Sequence, residues 1–254
     1  MRNTDKAWER FGQIDPYFAV LAHPRFRAAA EEGETRREFF DSGVEHVERL
    51  FATIRETLDP EFAPRRALDF GCGVGRVTIP LARHVAQVVG VDVSDSMLDE
   101  ANKNCEAAGV RNVTLLKSDD SLENLSGVFD FLHSFIVFQH IPARRGAKIL
   151  RAMLRRLSGS GVGALHFIYD IHAPGWRRLL RELRATFPLV NGLANLVKGD
   201  SLRRPYIEMH SYNVNRLLLH LQEQGCHRIH LRFSDHGVYK GIVLLFKKET
   251  LPLS

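Results

Sequence analysis

One stretch of this chain has residue types and spacing suited to chemistry: Ala67-Leu68-Asp69-Phe70-Gly71-Cys72-Gly73-Val74-Gly75-Arg76. A short apolar run enters a glycine-rich turn, and a helical pattern leaves it. Glycine admits positive φ and lets a ligand come close to the backbone. Asp92 ends the next apolar run, 21 residues after Gly71, where a carboxylate can accept hydrogen bonds from ribose hydroxyls. A dinucleotide fingerprint needs its third glycine at position 76; here that position is Arg, and the glycine comes at 75. Asp69 stands just before the turn. A carboxylate there is a poor neighbour for a pyrophosphate and a good one for an ammonium group. The pattern therefore points to a nucleoside cofactor with an amino-acid tail.

The elements that must position these residues alternate. Strands are expected at Ala67–Phe70, Gln87–Asp92, Val113–Lys117, Phe129–Ser134 and Val162–Tyr169. Helices are expected after the glycine turn through His84, at Ser94–Ala108, Pro142–Leu157 and Asn213–Gln224. Such βα alternation predicts a parallel sheet with helices on both faces. Upstream, Phe39, Phe40, Val44, Val47, Leu50, Phe51, Ile54 and Leu58 recur at helical spacing, giving one amphipathic helix over 35–58. At the other end Ile229, Leu231 and Phe233 alternate with Arg228, His230 and Arg232. A turn at Asp235-His236-Gly237 and a strand from Val238 to Lys247 complete an antiparallel hairpin. There is no internal repeat.

The glycine turn, with Val89-Gly90-Val91-Asp92-Val93-Ser94-Asp95-Ser96-Met97 after it, resembles the class I S-adenosylmethionine-dependent methyltransferases, bacterial small-molecule type. The likeness runs over roughly 61–170 and 206–247. It implies an α/β Rossmann-like fold: a seven-stranded, mostly parallel sheet with helices on both faces and a C-terminal antiparallel hairpin strand. It divides the chain into an N-terminal helical lid (1–60), a core (61–170 and 206–254) and a basic inserted cap (171–205). The cofactor implied is S-adenosyl-L-methionine. Its expected contacts are Tyr17, Asp69, Gly71, Cys72, Gly73, Gly75, Arg76, Asp92, Val93, Met97, Asp119, Asp120 and Ser134. Asp119 fits the position that meets the adenine amino group in that family. Cys72 reads as a packing residue of the loop rather than a reactive thiol.

Methyl transfer from a sulfonium is an in-line displacement, so alignment of donor and acceptor carries much of the acceleration. A general base helps a hydroxyl acceptor, though none is obligatory. The candidates for that role are His133 and His140, beside the end of the fourth strand, and His210 before the last helix. Trp176, Arg177, Tyr206 and Glu208 are the expected acceptor contacts. The aspartates of metal-dependent relatives are replaced by His133-Ser134 and Asp170-Ile171-His172, so no catalytic metal is expected. The aromatic leader Trp8 to Phe18 reads as a cover over the cofactor.

Composition bounds these readings. With 44% hydrophobic and 26% charged residues in 254, the chain is neither disordered nor collagen-like. Three scattered cysteines argue against a disulfide framework and for a cytoplasmic setting. No apolar run approaches a membrane span, and no signal peptide is evident. The net charge of +5 hides an asymmetry: residues 1–140 carry −7, 141–205 carry +10 and 206–254 carry +2. Arg144, Lys148, Arg151 and Arg155 make one face of a helix, flanked by Arg145 and Arg156, and read as a solvated basic surface. Seven cations between 171 and 205, with Trp176, Leu179, Leu180, Leu183 and Phe187 at amphipathic spacing, leave three readings open: a cap over an acceptor with an anionic group, a lid that touches a lipid surface, or a contact with nucleic acid. The readings carried forward are a small-molecule O- or N-methyltransferase, an RNA or protein methyltransferase, and a non-catalytic cofactor-binding protein. For the chain as a whole, nucleic-acid and membrane partners are not the expectation.

Overall fold

The computed structural model describes residues 4–21, 23, 26, 33–197 and 206–249, without the side chains of 177–179, 181, 182 and 188. Two short helices open the chain, α1 (Thr4–Ile14) and α2 (Pro16–Val20), followed by the long α3 (Gly33–Thr57). Strands β1 (Arg66–Phe70), β2 (Gln87–Asp92), β3 (Val113–Lys117) and β4 (Phe129–Ser134) come next, with α4 (Thr78–Leu81) and α5 (Asp95–Ala107) between the first three. A 3-10 turn at Phe138–His140 leads to α6 (Ala143–Arg155) and β5 (Leu157–Ile171). Helices α7 (Gly175–Thr186) and α8 (Pro188–Val197) form the insertion, and α9 (Val214–Glu223) precedes the hairpin β6 (Arg228–His236) and β7 (Tyr239–Lys247).

The seven strands lie in the order β3-β2-β1-β4-β5-β7-β6. The first five are parallel, and β7 runs antiparallel to both β5 and β6. Strand order reverses at β1, between β2 and β4, and ligands of open α/β sheets bind outside the carboxyl ends of the strands at such a point.

Two expectations need correction. The helix after the glycine turn spans four residues instead of reaching His84. Beyond it, Arg83 and His84 donate to the carbonyls three residues back, at Pro80 and Leu81, so the segment tightens into 3-10-type turns. β5 begins five residues earlier than its β-branched run, because Leu157 already pairs with Phe129 across a bulge. The other helices and strands fall within a few residues of expectation, and Gly225 closes α9 at φ +79.

One sheet face packs on α6 and α9 through Ile149, Leu150, Met153, Leu154, Leu217 and Leu221. The other packs on α3 through Val47, Phe51 and Ile54. A third cluster, including Phe11, Tyr17, Phe39, Val74 and Met97, seats the N-terminal helices on the glycine turn. There α3 comes very close: a Cβ on Gly43 would lie 2.0 Å from the carbonyl oxygen of Arg76. The helix backbone thus rests directly on the end of the turn. Although alanine is the better helix former by about 0.8–1.0 kcal/mol, Gly43→Ala is expected to lower stability by roughly 1–3 kcal/mol through overpacking. The midpoint of urea unfolding checks this.

Candidate functional site

The three glycines of the turn all have positive φ: +75 at Gly71, +52 at Gly73 and +87 at Gly75. Side chains at the first two would also collide. A Cβ on Gly71 would lie 2.4 Å from Val137, and one on Gly73 would lie 2.7 Å from Val20. Backbone hydrogen bonds fix the turn to β2: Gly71 and Cys72 donate to the Val91 carbonyl at 2.8 and 3.0 Å. Asp92 completes the tie, its two carboxylate oxygens accepting from the N–H of Gly73 and of Ser94, each at 3.0 Å. Burial pushes the Asp92 carboxyl up to about 6, against the pull of these backbone donors.

Around the turn lies a cleft of about 760 Å³, counting its open mouth. Phe70, Val91, Met97, Val137 and Ile149 are among its apolar walls, and Asp92, Ser118 and Asp120 are among its polar ones. Ile136, in the loop after β4, lines it with a φ of +56, rare for a β-branched residue. Thr4, Asp5, Trp8, Ala19 and Val20 form the wall contributed by α1 and α2.

The expected cofactor residues divide. Gly71, Gly73, Asp92, Val93, Met97 and Asp120 line the cleft, whereas Tyr17, Asp69, Cys72, Gly75, Arg76, Asp119 and Ser134 lie behind or beside it. Each of the latter has visible work. Asp69, expected to meet an ammonium group, is buried and engaged: one oxygen accepts from the Thr78 hydroxyl at 2.6 Å, and the other pairs with His133 Nδ1 at 2.8 Å. Tyr17 donates its hydroxyl to Glu100 at 2.7 Å, and burial raises that hydroxyl to about 12. Arg76 is buried beside α3, reaching Ser42 at 3.3 Å. Ser134 donates to the Phe70 carbonyl at 2.9 Å, and Cys72, one of three buried free cysteines, packs near Gly90. Asp119 is exposed and accepts from Ser121 and Leu122, shaping the turn after β3. Its neighbour Asp120 is the acidic residue at the cleft wall.

The histidines also divide. His140 lines the cleft, with its ring 4.9 Å from Trp8. Its Nδ1 donates to the Glu208 carbonyl at 3.0 Å, which leaves Nε2 as acceptor for the Gln139 amide at 3.1 Å. Burial brings it down to about 4, so near neutral pH it is an uncharged wall residue. His133 does not reach the cleft. It stands between Asp69 and His46, with Nε2 facing His46 Nε2 at 3.1 Å. If Asp69 holds the Nδ1 proton on His133, then His46 donates and His133 accepts, a neutral chain from β1 to α3. His210 and Glu208 lie against the 3-10 turn, where the His210 N–H donates to the Gln139 carbonyl at 2.7 Å. Trp176 is exposed, the Arg177 side chain lies outside the described residues, and Tyr206 sits beneath the Arg184 guanidinium. Of the described ones, Trp176, Tyr206 and Glu208 do not line the cleft. Among the described residues, no three His, Cys, Asp or Glu side chains gather as a metal site.

Sequence patterns missed the residues that hold the N-terminal wall. Arg145, expected on a solvated face, reaches across the cleft instead. Its Nε donates to Asp120 at 2.6 Å, one Nη to Asp5 at 2.9 Å and the other Nη to Thr4 at 3.1 Å. At the other side of α1, Glu9 accepts from the hydroxyls of Ser94 (2.9 Å) and Ser96 at the start of α5. Burial raises the Glu9 carboxyl, but the serine donors outweigh it and bring it down to about 2. Gly12 allows this approach, since a Cβ there would lie 2.7 Å from the Ser94 hydroxyl. The only sequence signal for Arg145 was its place off the main basic row.

Two outcomes follow. Arg145→Ala is expected to raise amide hydrogen exchange in α1 severalfold while protection in β1, β2 and β4 stays unchanged. The second concerns His166, buried in β5 with Nε2 2.9 Å from the Ser234 hydroxyl and Nδ1 without a partner among the described residues. Burial lowers it from 6.5 to about 3. Between those values the unfolded chain binds a proton that the folded chain refuses, so stability falls as pH drops below about 6.5. Urea midpoints at pH 7.5 and 5 should differ less in His166→Gln than in the parent.

Comparison with known proteins agrees with this geometry. Residues 67–161 match the family model described as a methyltransferase domain. Magnesium protoporphyrin IX methyltransferase from Synechocystis PCC 6803, solved with bound SAH, superposes with a TM-score of 0.59 at 20% identity, covering 92% of this chain and 97% of that one. The N-methyltransferase NodS from Bradyrhizobium japonicum WM9, solved with S-adenosyl-l-homocysteine, gives 0.59 at 15% identity, covering 97% and 98%. A 23S rRNA (uracil(1939)-C(5))-methyltransferase of Burkholderia thailandensis is 34% identical over 100 residues, 39% of this chain and 22% of that protein. The chain thus spans about a quarter or less of the length of the first curated relatives it matches. The matched segment runs from β1 into β5 and contains both the glycine turn and Asp92, and the fold superposes over nearly the whole chain, so residues 67–161 match a methyltransferase domain and the chain has the Rossmann-like fold of the solved S-adenosylmethionine-dependent methyltransferases.

Proposed function

We propose that the chain transfers a methyl group from S-adenosylmethionine to an oxygen or nitrogen of a small-molecule acceptor. The observation that carries the reading is Asp92: a half-buried carboxylate at the end of β2, facing a glycine turn that has no room for side chains at Gly71 or Gly73, at the wall of an apolar cleft. The donor set fits that cofactor. Asp92 would take the ribose hydroxyls, Asp120 and Ser118 the polar edge of the base, Val93 and Met97 its faces, and the Gly71–Gly73 backbone the amino-acid end. When bound, the cofactor supplies a methyl group already activated on a sulfonium.

The protein's part is then to hold, align and keep dry. Arg145 and Glu9 hold α1 over the cleft, and Trp8 and His140 close the wall between them. An uncharged His140 suits a site that must not repel a sulfonium cation. The backbone at Glu208 and His210 packs beside His140 and Gln139, which supports an acceptor site bordered by this segment. An anionic group on the acceptor fits the +10 carried by residues 141–205.

The RNA reading rests on the rRNA methyltransferase relatives, which align over only 22% of their own length. The solved magnesium protoporphyrin IX methyltransferase and the N-methyltransferase NodS align over nearly all of theirs, which favours the small-molecule reading. Calorimetry tests the proposal. S-adenosylmethionine and its demethylated product should both bind, and Asp92→Ala should weaken them at least tenfold. Because the carboxylate form accepts the ribose hydrogen bonds, affinity should fall as pH drops through about 6. Absence of binding at pH 7.5 overturns the reading, and methyl incorporation into RNA in place of small acceptors would favour the alternative.

A further inference from the structure

Helix α8, Pro-Leu-Val-Asn-Gly-Leu-Ala-Asn-Leu-Val, is built the wrong way round for a helix that packs on a protein core. Its polar side faces inward. Asn191 and Asn195 are buried, and their side-chain oxygens accept from Arg184 of α7 at 3.1 and 2.9 Å. Its apolar side faces out: Leu189 is 84% exposed, Leu193 63% and Val197 90%. These three recur at every fourth residue, so they form one stripe. Helix α7 adds a stripe of its own, with Trp176, Leu180, Leu183 and Phe187 all exposed. Isolated exposed leucines need no account, but contiguous apolar surface of this size marks an interaction site.

Charge decides what meets it. Ten residues of α8 contain no ionisable side chain, while cations besides the inward-facing Arg184 stand in the sequence on both sides: Arg177, Arg178 and Arg181 before it, Lys198, Arg203 and Arg204 after it. The segment 171–205 carries +5. A second copy of this chain would bring +5 against +5. An RNA surface would need cations where α8 offers leucines. An apolar element flanked by basic residues suits the boundary of an anionic bilayer, with apolar side chains among the acyl chains and cations at headgroup depth. Among the described residues no helix is long and apolar enough to cross a membrane, so the contact is with one leaflet.

We propose that α7 and α8 form a docking face for an anionic lipid surface, with Leu189, Leu193 and Val197 entering the leaflet. This departs from the expectation that the chain has no membrane partner. It is independent of the methyl-transfer reading, since binding needs neither cofactor nor acceptor.

The test is flotation of the full chain with phosphatidylglycerol vesicles and with phosphatidylcholine vesicles at low salt. The expected result is retention on the anionic vesicles, at least tenfold weaker on the neutral ones and reduced by salt. Leu189→Ser/Leu193→Ser/Val197→Ser, three exposed positions, should weaken retention at least tenfold without changing the urea midpoint. No retention on anionic vesicles overturns the proposal, as does retention that the triple variant leaves intact. A dimer that the triple variant dissolves, without vesicle binding, would assign the face to a second copy and overturn it equally. RNA retention lost in the triple variant, again without vesicle binding, would do the same.

Discussion

A single half-buried carboxylate organises the site. Asp92 sits at the end of β2 with both oxygens held by backbone N–H groups, one of them from the glycine turn that leaves β1. Burying a charge is costly unless it is hydrogen-bonded, and the turn supplies the donors only if Gly73 adopts its positive φ. The turn in turn fits only because the loop after β4 and helix α2 crowd the space where side chains would be. The ends of β1 and β2 are thus tied through one residue, and a turn that departs from this path leaves one carboxylate oxygen without its backbone donor.

Much of this was legible in the sequence because it depends on local pattern. Glycine spacing, the β-branched run before Asp92 and the alternation of the last two strands each reflect a constraint within a few residues. The role of Asp69 was not legible. Its partners Thr78 and His133 come from elements 9 and 64 residues away, so the carboxylate braces β1 against β4 where its position beside the turn suggested a ligand contact. Asp119 and Asp120 show the same limit at finer scale: two adjacent carboxylates, of which the turn geometry after β3 directs the second into the cleft and the first into capping.

Arg145 and α8 mark where residue type alone misleads. A helical basic row reads as solvated surface, yet one of its neighbours reaches α1, 140 residues back in sequence. An apolar helix reads as core, yet α8 keeps its asparagines inside for Arg184 and presents its leucines to solvent. Composition specifies that a face exists. Which way it points is decided by the partner that satisfies the polar groups, because the buried asparagines and the half-buried guanidinium need each other more than a leucine needs cover.

The fastening of α1 has a kinetic consequence. The contacts at Asp5, Thr4 and Glu9 are made to two separate parts of the chain: Arg145 of α6, itself held by Asp120 after β3, and the start of α5. On the proposed reading, a ligand under α1 leaves when these contacts part. Residence time would then be separated from affinity: the groove walls would set how tightly a molecule is held, and the fastening of one eleven-residue helix how often it is exchanged.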